Sequence, residues 1–236
     1  MGMYNTARLL DSYREASEDR AEFVPLPEDA LALIIADGVG GRENGGDAAT
    51  RAVELTHGSV TTATTRELSD PRFWEQMFRR VDEAVSNNET CGETTLVALC
   101  MTPSRITGAS VGDSEAWWVS ETGSVRVLTE GGRKPYLGRG MSVPVTFALS
   151  TPPTGTLLAA TDGLFKYTDA GQIARVVSRG ASDLQVVAPA LRGLARSSSG
   201  VLHDDFAVLL ASVEEQAPAK HTPPSLWERI AGAFAR

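Results

Sequence analysis

Two stretches of this chain are near copies: Leu33-Ile34-Ile35-Ala36-Asp37-Gly38 and Leu158-Ala159-Ala160-Thr161-Asp162-Gly163. Each reads as a short apolar strand that runs into an aspartate and a glycine. The pattern recurs at Ser110-Val111-Gly112-Asp113-Ser114, and Asp204-Asp205 stands directly before the apolar run Phe206-Ala207-Val208-Leu209-Leu210. A single Asp-Gly after a strand is ordinarily a turn. Acidic groups at the ends of several strands constrain the fold more strongly, because a carboxylate beside a buried strand is costly to desolvate and several brought together repel one another. A fold that collects them needs a cation. The chain has no clustered histidines or cysteines, so its oxygen donors suit magnesium or manganese rather than zinc. The glycines after Asp37 and Asp162 let the backbone approach closely, which offers a carbonyl as a further ligand.

Strands are expected at residues 31–36, 94–101, 106–111, 116–120, 125–129, 156–160 and 206–213, each β-branched or leucine-rich and bounded by turn residues. Glu121-Thr122-Gly123-Ser124 reads as a hairpin turn. Helices are expected over about 47–57, 71–87, 172–179 and 184–196, with Asp70-Pro71 as N-cap and first turn of the second and Pro189 kinking or delaying the last. Strands in hairpin order with helix pairs between the groups predict an α/β (α+β) sandwich: two packed antiparallel β-sheets flanked by helices on both outer faces. No repeat of solenoid or propeller length is present.

With 236 residues, 42% of them hydrophobic, the chain can bury one sizeable core. Residues 1–213 read as that domain and 214–224, rich in Pro, Glu and Ala, as a linker. Residues 225–236 read as a short amphipathic helix with Leu226, Trp227, Ile230, Ala231 and Phe234 on one face, either docked on the domain or serving as a partner-binding tail. The formal charge of -8 argues against nucleic acid as a partner. The purest apolar run, Ala30 to Ala36, is far short of the ~20 residues that span a bilayer, so no membrane association is expected. With no apolar leader at the N-terminus, the expected location is the cytoplasm and the expected state a monomer. Cys91 and Cys100, nine apart on what reads as one strand, are expected to be buried structural thiols.

Taken in order, Glu18-Asp19, Asp37-Gly38-Val39-Gly40-Gly41, Gly92-Glu93-Thr94-Thr95, Gly112-Asp113-Ser114, Thr161-Asp162-Gly163 and Asp204-Asp205-Phe206-Ala207-Val208 resemble the motifs of the metal-dependent serine/threonine protein phosphatases of type 2C, in a bacterial-like form. The resemblance runs from about Arg14 to Ser212. It implies two manganese or magnesium ions, with Asp37 bridging them, Glu18 and the Gly38 carbonyl completing one site, and Asp162 and Asp204 the other. It further implies that Asp19 orients water from behind, that Asp113 with Asp162 can hold a weaker third ion, and that Arg14 binds the substrate phosphate. A water bridging the two ions would be the nucleophile, and the implied substrate is a phosphoserine or phosphothreonine protein, opposing a serine/threonine kinase.

Several positions depart from the family pattern. Val39 stands where many members carry a histidine, so the leaving group is expected to take its proton from a metal-bound water. Glu115 replaces an arginine, Glu93 sits within a Gly-Thr-Thr motif, and Asp205 replaces an asparagine, which leaves either member of the 204–205 pair as ligand, with register favouring Asp204. Only 48 residues, 114 to 161, separate Asp113 from Asp162, so the flap beside the cleft is expected to be short. Its remnant carries Arg133, Lys134 and Arg139, which either attract an anionic phosphopeptide or are ordinary solvated charges. Two other functions share these residues: a noncatalytic scaffold on the same fold, and a phosphatase acting on a small metabolite.

Overall fold

The computed structural model describes residues 3–13, 15–39, 44–130, 135–150 and 154–213. In chain order it contains β1 (Tyr4–Asp11), β2 (Asp19–Leu26), β3 (Ala30–Asp37), α1 (Gly45–Thr62), α2 (Thr65–Leu68), α3 (Pro71–Ser86), β4 (Leu96–Met101), β5 (Arg105–Val111), β6 (Glu115–Val119), β7 (Val125–Val127), β8 (Val145–Ser150), β9 (Thr156–Ala160), α4 (Asp162–Phe165), α5 (Ala170–Arg179), α6 (Leu184–Ala195) and β10 (Phe206–Val213). The strands form two five-stranded sheets, ordered β1-β10-β9-β6-β7 and β2-β3-β4-β5-β8. All neighbouring strands in both sheets are antiparallel.

The sandwich has a central core and two outer ones. Leu31, Leu33 and Ile35 of β3 meet Trp118, Leu157 and Leu209 between the sheets. Alternate residues Ala32, Ile34 and Ala36 face outward onto Ala49 and Val53 of α1 and Trp74, Phe78 and Val81 of α3. On the other side, Leu158, Val208 and Leu210 lie under Ile173 and Val177 of α5 and Leu184 and Leu191 of α6. Because both faces of each sheet are covered, the central strands are apolar throughout instead of alternating. The expected sandwich with helices on both outer faces is the observed architecture.

The three strands that the sequence pattern did not reveal, β1, β2 and β8, all lie at sheet edges. Edge strands tolerate polar residues and proline, and β2 contains Pro25. Helix α1 extends beyond the expected 47–57 at both ends, and the short α2 and α4 were not anticipated. α3 starts as expected, with the Asp70 carboxylate accepting from Arg72 N at 2.9 Å and Pro71 in the first turn. α6 starts at Leu184 and continues past Pro189, so the proline does not delay it. The residue whose carbonyl loses its helical partner there, Gln185, is exposed, so water can satisfy it. The two cysteines are not on one strand: Cys100 is buried in β4, whereas Cys91 lies in the loop after α3 and is only partly covered. The proposed linker 214–224 and helix 225–236 lie outside the described residues, as do Arg14, Arg133 and Lys134. No described helix is long and apolar enough to cross a membrane.

Candidate active site

The side-chain alternation that builds the central core also directs the acidic residues. Asp37 continues the inward series Leu31, Leu33, Ile35 at the end of β3, and Asp19, which opens β2 ahead of inward-facing Ala21, is its register partner. On the other sheet, Thr161 extends the inward series Leu157, Ala159, and Asp205 precedes Ala207, Leu209 on β10. Antiparallel pairing brings these strand ends to one end of the sandwich. Thr161 joins the sheets there: its hydroxyl donates to Asp19 Oδ2 at 2.8 Å and accepts from Ala207 N at 3.0 Å.

The Gly92-Glu93-Thr94-Thr95 segment fastens the backbone of Asp37. Thr95 Oγ1 accepts from Asp37 N at 3.0 Å, while Thr95 N and Thr94 Oγ1 both donate to the Asp37 carbonyl at 2.8 Å. Thr95 Oγ1 also shares a hydrogen bond of 2.7 Å with Ser114 of the third acidic motif. The glycines after the two aspartates serve close approach. A Cβ on Gly38 would strike the backbone of Gly45 at the start of α1, and one on Gly163 would strike the Asp205 carbonyl.

Glu18, Asp37, Asp113, Asp162, Asp204 and Asp205 border one cleft of about 280 Å³, together with Gly38, Tyr13, Tyr136 and Lys166. Asp19 is buried behind it, and its Oδ1 has no hydrogen-bond partner among the described residues. Arg14 lies outside the described residues, but Tyr13 immediately before it borders the cleft. Burial, followed by repulsion from Asp19, Asp162, Asp204 and Asp113, holds the Asp37 carboxyl far above the usual carboxylate range. Burial also raises Asp19, against the opposing hydrogen bond from Thr161, and raises Asp162, against the opposing pull of Lys166.

The two members of the 204–205 pair have different surroundings. Asp205 accepts from Tyr13 N at 2.9 Å through Oδ1 and from Glu18 N at 2.7 Å through Oδ2, so both its oxygens hold the β1–β2 connection. Asp204 leaves its Oδ2 toward the cleft, 4.0 Å from Lys166 Nζ. Lys166 is ion-paired with Asp162, and Tyr136 donates its hydroxyl to Asp113 Oδ2 at 3.2 Å. Neither residue was singled out from sequence. Lys166 would have been visible had α4 been foreseen, since it lies one helical turn beyond Asp162.

The acidic groups fit a divalent cation in donor chemistry: all are oxygens, the central carboxylates are buried against their own repulsion, and Asp19 carries an orphaned buried oxygen. They border the cleft without closing on one point, and no three acidic, histidine or cysteine side chains among the described residues already form a ligand cage.

Residues 138–142, in the segment between the third acidic motif and Asp162, are pinned to α3. Asp82, a lone acid on the apolar face of α3, accepts from Gly138 N at 2.7 Å, Gly140 N at 3.1 Å and Ser142 N at 2.7 Å. Arg139 is not an unengaged attractor of anions: its guanidinium pairs with Glu93 Oε1 at 2.7 Å. Glu115 accepts from Trp117 Nε1 at 2.6 Å.

The sequence profile of the Stage II sporulation protein E (SpoIIE) family matches residues 27–214. No curated protein sequence matches the chain. Among solved structures, the serine/threonine phosphatase Stp1 from Staphylococcus aureus is 17% identical with a TM-score of 0.78, covering 91% of this chain and 97% of its own. The serine/threonine phosphatase of S. agalactiae is 22% identical with a TM-score of 0.72, over 89% and 100%. The catalytic domain of the serine/threonine protein phosphatase PstP, solved in complex with two manganese ions, is 19% identical with a TM-score of 0.73, over 90% and 99%. At these identities the likeness is one of fold.

Proposed function

Because the chain belongs to the Stage II sporulation protein E family, of the type 2C phosphatase kind, we propose that it is a metal-dependent phosphomonoester hydrolase acting on phosphoserine and phosphothreonine in proteins. The observation that carries this reading is the burial of Asp37 among Asp19, Asp162, Asp204 and Asp113 where the two sheets meet. Such a cluster is unfavourable on its own and is relieved by cations. Glu18, Asp37 and the Gly38 carbonyl would hold one manganese or magnesium ion, and Asp37, Asp162 and Asp204 the other. When bound, an ion pair of this kind makes water nucleophilic near neutral pH and neutralises phosphoryl charge.

The protein's own residues do the rest. The clamp of Thr94 and Thr95 on the Asp37 backbone keeps that carboxylate directed into the cleft. Asp19, oriented by Thr161, accepts hydrogen bonds from water in the cleft and holds it in line with the phosphate. Arg14 would bind the substrate phosphate, as the family resemblance implies, since a guanidinium can hold two phosphoryl oxygens, and Asp205 holds the backbone of Tyr13 and Glu18. No covalent step falls to the cysteines, since burial pushes the Cys100 thiol up to about 12 and Cys91 does not border the cleft. The serine/threonine phosphatases that share the fold support a phosphoprotein substrate, and the manganese ions of PstP support a two-ion site.

Purified protein should hydrolyse an aryl phosphate with manganese or magnesium, and lose that activity in chelator and in D37N. Activity that survives both treatments overturns the mechanism. Faster turnover of phosphoserine and phosphothreonine peptides than of small phosphoesters is the result expected for a protein phosphatase. The reverse preference would assign a metabolite substrate, and the absence of both hydrolysis and metal binding would leave a scaffold.

A further inference from the structure

We propose that Asp82, on α3 and outside the cleft, is a positioning residue for the hydrolytic reaction: through residues 136–138 it holds Tyr136 on Asp113 and braces Thr94 behind Asp37. The inference rests on the phosphatase reading above. Asp82 is 3% exposed and shares the buried face of α3 with Trp74, Met77, Phe78, Val81 and Val85. A carboxylate in such surroundings is unfavourable unless its oxygens are satisfied. Here both are, since Oδ1 accepts from Gly138 N and Gly140 N and Oδ2 from Ser142 N. Gathering three alternate amides onto one carboxylate takes a tight bend, which Gly138 and Gly140 supply with φ of 104° and 67°.

The bend fixes the residues just before it. Leu137 is fully buried in the core cluster that includes Val81 and Val85, and it exchanges both backbone hydrogen bonds with Thr94, at 3.1 and 3.0 Å. Thr94 is bridged on its other side to Gly38, and its hydroxyl donates to the Asp37 carbonyl at 2.8 Å. Side chains alternate along an extended segment. With Leu137 turned into the core, Tyr136 turns the other way, to the wall of the cleft, where its hydroxyl donates to Asp113 Oδ2 at 3.2 Å. Asp82 thus stands at the start of two short paths, one to Asp113 through Tyr136 and one to Asp37 through Thr94. Arg139 also ties this segment, to Glu93, but that ion pair supplies no acceptor for the three amides if the Asp82 carboxylate is lost.

Hydrolysis of an aryl phosphate by the full chain at saturating manganese and substrate, below the unfolding transition of every variant, tests this directly. D82A should lower kcat about 10- to 100-fold, the loss that a displacement of about 1 Å near the reacting groups produces. D82N keeps an oxygen acceptor and should recover part of that loss; it carries the same comparisons should D82A fail to fold. L209A, which weakens the fold from a position away from the cleft, should change kcat by less than about twofold. Y136F and T94V should each lower kcat on their own, but by less than about twofold further in the D82A background, where their contacts are already released. A kcat that D82A leaves no lower than L209A does, or full additivity of D82A with Y136F or with T94V, overturns the proposal while leaving the phosphatase reading intact. A wild type that hydrolyses nothing overturns both.

Discussion

Asp37 and Asp19 occupy one register pair at the end of β2 and β3, and their carboxyls titrate above the usual range. A group whose folded pKa is raised binds its proton more tightly in the fold. Its stabilising contribution is therefore complete below the unfolded aspartate value near ~4 and is lost as pH rises through the folded value. In chelator, the urea midpoint should be higher at pH 5.5 than at pH 8, and saturating manganese should shrink that difference; a metal-free protein more stable at pH 8 would contradict the burial argument. Thr161 offers a second test at the same scale. Thr161→Val strands Asp19 Oδ2 and Ala207 N together, which should cost about 1–3 kcal/mol in urea unfolding and weaken manganese binding roughly 10- to 100-fold. Much of this site was legible as residue types: the acidic strand ends were visible in the primary structure. The separate tasks of Asp204 and Asp205 were not, because they depend on which oxygen meets Tyr13 N and Glu18 N from a distant part of the chain.

Secondary-structure elements differ in how plainly they can be read, and burial explains the difference. β3, β4, β9 and β10 are covered on both faces and are apolar along most of their length, so their pattern stands out. β1, β2 and β8 at the sheet edges carry exposed or half-exposed residues and depend on pairing more than on pattern. α3 carries a device that belongs to this scale. Its buried Asp82 replaces water for the amides of Gly138, Gly140 and Ser142, so the helix determines where residues 138–142 lie. Asp82→Ala should cost about 2–4 kcal/mol, from the amides left without an acceptor. Amide hydrogen exchange at residues 138–142 should rise selectively, whereas unchanged protection there would show that Arg139–Glu93 holds them alone.

At the scale of the whole molecule, the sandwich and its cleft are one energetic unit, since the central core ends where the carboxylates begin. Metal that binds only the folded state should stabilise it by about 2.7 kcal/mol at a free concentration 100 times its dissociation constant. The thermal midpoint should therefore climb with manganese in the wild type and stay unmoved in D37N. Leu209, fully buried between the sheets, provides the converse case. Leu209→Ala should lower stability by about 2–5 kcal/mol yet retain a manganese-dependent rise in midpoint, because the residue does not border the cleft. By itself the primary structure determined the fold class, the antiparallel strands of the interior and the set of acidic residues, since hydrophobic periodicity and residue chemistry are local properties. Tertiary structure alone decided that Asp19 and Asp37 face each other, that Thr161 ties one sheet to the other, and that Asp205 turns away to hold the β1–β2 connection. Those facts follow from strand register and side-chain parity summed across two sheets, and a contact between residues more than a hundred positions apart has no local signature to read.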